Sequence, residues 1–118
     1  MKLYIDGSSR GNPGKGLALL YINGKVYTQE HENITNNQAE YYALLMAFEY
    51  LHNFHVMNAE ILTDSQLIVG HLTKGWKVNY NHELVAKAKK EYQRFSPKLT
   101  WIPREKNLAG IEIEKRIK

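Results

Sequence analysis

Lys2-Leu-Tyr-Ile-Asp-Gly-Ser-Ser-Arg-Gly-Asn-Pro-Gly14 decides how the rest of the chain is read. Leu3, Tyr4 and Ile5 form a short apolar, β-favouring run that meets a carboxylate at Asp6. From Gly7 to Gly14 the chemistry is that of turns, with three glycines, one proline and the small polar Ser8, Ser9 and Asn12. The reading is a first strand that delivers Asp6 to its C-terminal end and then opens into a glycine-rich loop. Such a loop admits a backbone or phosphate, and the acid can hold a cation beside it. The same residues also suit a hairpin whose turn begins at Asp6-Gly7.

The 118 residues, 43% of them hydrophobic, fit one compact α/β domain over 1–118. No apolar run approaches the roughly 18–20 residues that cross a bilayer, so no membrane partner is expected. The N-terminus lacks the basic-then-apolar pattern of a secretion signal. The absence of cysteine excludes disulfides and thiolate metal sites and makes the cytoplasm the default compartment. A formal charge of +4 leans mildly towards anionic partners.

After the loop, Leu17–Ile22 reads as a second strand, and Asn23-Gly24 is a strong hairpin signal leading into a third strand over Lys25–His31. Thr35 and Gln38 have the spacing of a capping box, which opens a long helix running to about Asn53. Apolar residues cover most of that helix's girth, as in a helix buried within the domain. Ala59–Thr63 is a fourth strand ending at Asp64, and Ser65–Leu72 a short helix. Tyr80–Phe95 has helical periodicity, Pro97 stops it, Leu99–Ile102 is a fifth strand, and Leu108–Ile117 a last helix. Strand–helix–strand crossovers make strands four and five parallel to strand one. Strands one to three are antiparallel, giving one five-stranded mixed sheet with helices on both faces.

Three carboxylates fall at element ends in that layout: Asp6, Glu40 and Asp64. Ligands of open α/β sheets sit outside the carboxyl ends of the parallel strands. If strands one and four are neighbours, Asp6 and Asp64 meet at that edge, and a helix crossing behind them can present Glu40. Acids so gathered repel one another unless a cation lies between them. All-oxygen ligands suit Mg²⁺, with Mn²⁺ as substitute, and two such ions about 4 Å apart can activate water and stabilise the leaving oxygen of a phosphodiester. Each acid also has a structural explanation: Asp64 as a helix N-cap, Glu40 as a complement to the helix dipole, Asp6 as a turn residue.

Asp6-Gly-Ser-Ser-Arg-Gly-Asn-Pro-Gly14, Thr35-Asn-Asn-Gln-Ala-Glu40, Thr63-Asp-Ser65 and Trp101-Ile-Pro-Arg-Glu-Lys-Asn107 resemble, in order and separation, the signature blocks of type 1 ribonuclease H. The resemblance implies a ribonuclease H-like fold and a metal-dependent endonuclease. The enzyme would cut the RNA strand of RNA–DNA hybrids with two Mg²⁺ ions, leaving 5′-phosphate and 3′-hydroxyl ends. It implies that Asp6, Glu40 and Asp64 are three of four catalytic, metal-holding acids. The family's fourth, an Asp early in the last helix, falls on Gly110. Glu114, one turn further along and roughly 6 Å down the axis, is the preferred surrogate, and Glu112, about 200° around, the alternative. A solvated Glu114 in a charged tail is the competing reading.

The resemblance further implies that Asn12, Thr35, Asn36 and Asn37 face the hybrid, where amides and Asn side chains read 2′-hydroxyls. Thr35, Asn36 and Asn12 also suit a phosphate at a helix N-terminus, although Thr35 can serve simply as a cap. Ser65 and Gln66 match positions that touch the RNA strand. Trp76, between Lys74 and Lys77, matches an aromatic that packs on the DNA strand's sugars, or else plugs the core. Arg104 takes an electrostatic part or pairs with Glu105 or Glu112. The chain is expected to be a monomer, with neither a lysine-rich handle nor a hybrid-binding domain to strengthen its hold on substrate. It should bind its hybrid weakly and with steep salt dependence, through Lys87, Lys89, Lys90 and similar charges. The rival expectation is a ribonuclease H fold that binds nucleic acid with little or no cleavage, on account of Gly110.

Overall fold

The computed structural model describes residues 1–117, the side chain of Ile117 excepted. Its strands are β1 (Lys2–Gly11), β2 (Gly14–Ile22), β3 (Lys25–Ile34), β4 (Glu60–Thr63) and β5 (Lys98–Trp101). The helices are α1 (Asn36–Asn53), α2 (Gln66–Thr73), α3 (His82–Phe95) and α4 (Leu108–Ile117), with a 3₁₀ turn at Arg104–Lys106. The sheet order is β3-β2-β1-β4-β5. β1, β2 and β3 are antiparallel, and β4 and β5 run parallel to β1. The expected five-stranded mixed sheet is therefore the one formed.

The first strand departs from expectation. Gly7–Gly11 is not a loop but the second half of β1, paired with β2 from Gly7↔Ala18 to Gly11↔Gly14. Turn-forming side chains stay extended here because β2 supplies a continuous ladder of backbone partners. The hairpin closes only at Gly11–Gly14, where Gly11 takes a φ of +96° and the Asn12–Pro13 peptide is cis. Neither reading of Asp6-Gly7 as a strand end or turn start holds. Asn23 and Gly24 have φ of 49° and 82°, the left-handed pair that a two-residue hairpin turn requires.

Side chains alternate across the sheet. Leu3, Ile5, Leu20 and Ile61 face α1 and α3 in the main core, with Tyr41, Leu44, Phe48 and Leu51 of α1. Leu19, with Tyr4, Leu17 and Tyr21, faces Ala109 and Ile113 of α4 in a smaller core on the opposite side. Helices thus cover both faces. Thr35 caps α1 through the expected box: its Oγ1 accepts from Gln38 N at 3.1 Å, and its N–H donates to Gln38 Oε1 at 2.9 Å. Among the described residues no helix is long and apolar enough to cross a membrane.

Candidate active site

Pairing between β1 and β4 ends at Tyr4–Leu62, whereas β1 continues beside β2 to Gly11. Asp6 lies just beyond that end, on the Tyr4 face of the strand, and is only 2% exposed. Asp64 follows the last residue of β4. Glu40 arrives from the other face because Gly7 lets the first turn of α1 touch the strand. A Cβ at Gly7 would lie 2.2 Å from the carbonyl carbon of Ala39 and 2.4 Å from the amide nitrogen of Glu40. One carboxylate oxygen from each of the three acids falls within 4.8 Å of the others.

Proximity and burial raise the pKa of Asp6 and of Glu40. Burial, then the charge of Asp64, pushes Asp6 up to about 6, against the lowering influence of Arg104. Burial, then Asp6 and Asp64, pushes Glu40 up to about 8, although it has a hydrogen bond with the Ser65 side chain. Asp6 Oδ2 is buried and accepts no hydrogen bond among the described residues. A buried carboxylate oxygen without a donor, in a group whose members resist ionising together, suits a bound cation. The donor set is all oxygen, which favours a hard divalent ion.

Asp64 is not a helix cap. That position belongs to Ser65, whose Oγ accepts from Ile68 N at 3.2 Å. Asp64 is instead fixed by Asn107, which sequence reasoning did not single out as a site residue. Asn107 is fully buried, and its Nδ2 donates to Asp64 Oδ2 at 2.8 Å and to the Ile5 carbonyl at 2.9 Å. Its Oδ1 accepts from Ala109 N at 3.1 Å, so one amide starts α4 and ties it to both acid-bearing strands. An Asn before the last helix was its only signal. Trp101 was also missed: its Nε1 donates to the Asp64 carbonyl at 3.1 Å.

Gly110 faces the acids. A Cβ there would stand 3.3 Å from Asp6 Oδ2 and 3.7 Å from Asp64 Oδ2. Glu114 does not join the three-acid group and lies 3.7 Å from Arg104 Nε, both side chains being about half exposed. Glu112 turns away to Lys115 and Arg116. Among the described residues no ion pair joins Arg104 to Glu105 or Glu112. Its Nη1 lies 3.4 Å from both Asp6 Oδ2 and Asp64 Oδ2. Burial works against the Arg104 cation, but Asp6 and Asp64 hold its pKa above the ordinary arginine value.

The segments expected to face substrate meet at the start of α1. Asn36 N donates to Asn12 Oδ1 at 2.9 Å, and Asn36 Oδ1 accepts from Ser9 N at 2.8 Å. Thr35 is engaged as the helix cap, and Asn36 and Asn37 are exposed. Ser65 is buried, with its hydroxyl shared between the α2 cap and Glu40, whereas Gln66 is exposed. Trp76 is 44% exposed and lies flat on Gly70, where a Cβ would come within 2.0 Å of the ring. Gln66, Val69, Lys74, Trp76 and Trp101 line a cleft of about 250 Å³ beside Asp64.

Comparison with known proteins bears on the family and the fold. The family model for RNase H matches residues 1–107. The ribonuclease HI of Halobacterium salinarum is 42% identical over 82 residues, which cover 64% of this chain and 41% of that protein. The ribonuclease H of Wigglesworthia glossinidia brevipalpis is 38% identical over 87 residues, covering 70% and 54% respectively. The chain spans about half the length of the curated relatives it matches. Among solved structures, RNase H1 from H. salinarum has a TM-score of 0.81 at 31% identity, covering 94% of this chain and 91% of that one. LC11-RNase H1, solved in complex with an RNA/DNA hybrid, has a TM-score of 0.80 at 29% identity and covers 99% of both. With the family model matched over nearly its whole length, this chain belongs to the RNase H family.

Proposed function

We propose that the chain hydrolyses the RNA strand of RNA–DNA hybrids in a divalent-metal-dependent reaction that leaves 5′-phosphate and 3′-hydroxyl ends. The observation that carries this reading is the convergence of Asp6, Glu40 and Asp64, one carboxylate oxygen of each lying within 4.8 Å of the others. Asp6, Glu40 and Asp64 would hold Mg²⁺ or Mn²⁺. Bound there, a divalent ion supplies Lewis-acid chemistry: it lowers the pKa of water and offsets charge on the phosphodiester. Asn107 and Trp101 fix Asp64, and Ser65 and Gly7 fix Glu40, so the acids need little rearrangement on loading. Asn12, Asn36 and Asn37 present amides to the hybrid's minor groove, where 2′-hydroxyls separate RNA from DNA. Gln66 and Trp76, on the Asp64 side, contact the backbone.

Cleavage of an end-labelled hybrid in Mg²⁺ and in Mn²⁺ tests the reading. Wild type should cut, and Asp64→Asn should lower the rate by at least about a thousandfold, since residues that hold one ion act as a unit. Hybrid binding without cleavage in either metal would instead identify a binding module. Gly110, which brings no carboxylate to its position, is the feature that favours that second reading.

A further inference from the structure

We propose that Arg104 is a tethered second cation of this site, so that the loaded protein takes one divalent ion rather than two. This rests on the reading of Asp6, Glu40 and Asp64 as a metal site. The position that faces both aspartates from α4 is Gly110, which offers no ligand. Arg104 Nη1 lies 3.4 Å from an oxygen of each aspartate. Mg²⁺ binds carboxylate oxygens at about 2.0–2.1 Å, so an ion bridging the same two oxygens and the guanidinium exclude one another. No hydrogen bond or ion pair joins Arg104 to Glu40 among the described residues. The Glu40 side of the group is thus where a single ion fits.

The arginine is also held in place. The 3₁₀ turn at Arg104–Lys106 brings it over the acids, and Glu114 of α4 sits 3.7 Å from its Nε. Glu114 acts here through Arg104, as a positioning residue. Half of the Arg104 side chain remains exposed, which leaves N–H donors free for a phosphate oxygen.

Calorimetric titration of Mn²⁺ into the metal-free protein, without nucleic acid, reads the prediction directly. Wild type should bind one ion per chain. Arg104→Gln should bind one ion about tenfold or more tightly, because a positive charge a few ångströms away has gone. Arg104→Gln combined with Gly110→Asp should bind two. Adding Glu114→Gln to Arg104→Gln should leave the affinity where Arg104→Gln put it. Two ions on the wild-type chain, a count that needs no variant, would overturn the inference while leaving the metal-dependent reading intact. Unchanged or weaker binding by a folded Arg104→Gln would do the same. No ion bound by wild type at millimolar Mn²⁺ would overturn both.

Discussion

The two sides of the acid group are built in different ways. On one side Asp6, Glu40 and Asp64 issue from β1, α1 and the end of β4, and packed elements fix them: Gly7 against Ala39, Asn107 against Asp64, Ser65 against Glu40. On the other side Arg104 and Glu114 are half-exposed side chains joined by ion pairs of 3.4–3.7 Å. The packed side sets where the acids are, and the open side sets what charge they meet. Disturbing the first should cost stability and function together, whereas disturbing the second should alter charge with little effect on folding.

Gly7→Ala should break the packed side most severely. The added methyl would sit 2.2 Å from backbone of α1, which cannot rotate away as a side chain can. Overpacking of this kind costs about 3 kcal/mol, and chemical denaturation should show a loss of that order. Cleavage should fall with it, because Glu40 moves with α1.

The next effect is a pH dependence. Asp6 at about 6 and Glu40 at about 8 both lie above the unfolded values near 4. The folded protein therefore holds protons that the unfolded chain has released, and stability falls as pH rises from about 4 through those values. The Tm of metal-free protein should drop by several degrees between pH 5 and pH 9. Glu40→Gln should flatten that slope by removing the group with the larger shift. A Tm that rises over this range would show that the acids do not crowd one another.

Glu114→Gln should have the smallest effect. Its partner is half exposed and 3.7 Å away, and such pairs contribute at most about 1 kcal/mol. Thermal unfolding should place the variant within a degree or two of wild type, in contrast to Gly7→Ala. A large loss would mean that the open side is as much a part of the folded framework as the packed one.

What could be read from the sequence follows the same division. Local signals held: the Thr35–Gln38 capping box, the Asn23-Gly24 hairpin turn and the bounds of α4 depend on neighbours in the chain. The convergence of Asp6 and Asp64 was legible because the strand–helix–strand order sets β1 beside β4, and that of Glu40 because α1 has to cross behind them. The length of β1 was not, because Gly7–Gly11 stays extended only through its pairing with β2. Asn107 was hidden for a related reason: its partners, Ile5 and Asp64, are remote in sequence. Arg104 looked like a partner for nearby glutamates, since nothing local says that the 3₁₀ turn aims it at Asp6 and Asp64.

The bond from Trp101 to Asp64 has one more consequence, an optical one. The chain carries two tryptophans, and the indole N–H of Trp101 is tied to the carbonyl of the acid itself. Trp76 lies on Gly70 with the Lys74 ammonium 5.8 Å from its ring. One fluorophore therefore reports the electric field at the acids, and the other reports the basic turn that leads towards α3. With Trp76 replaced by Phe, emission from a single indole becomes a label-free gauge of what occupies the site.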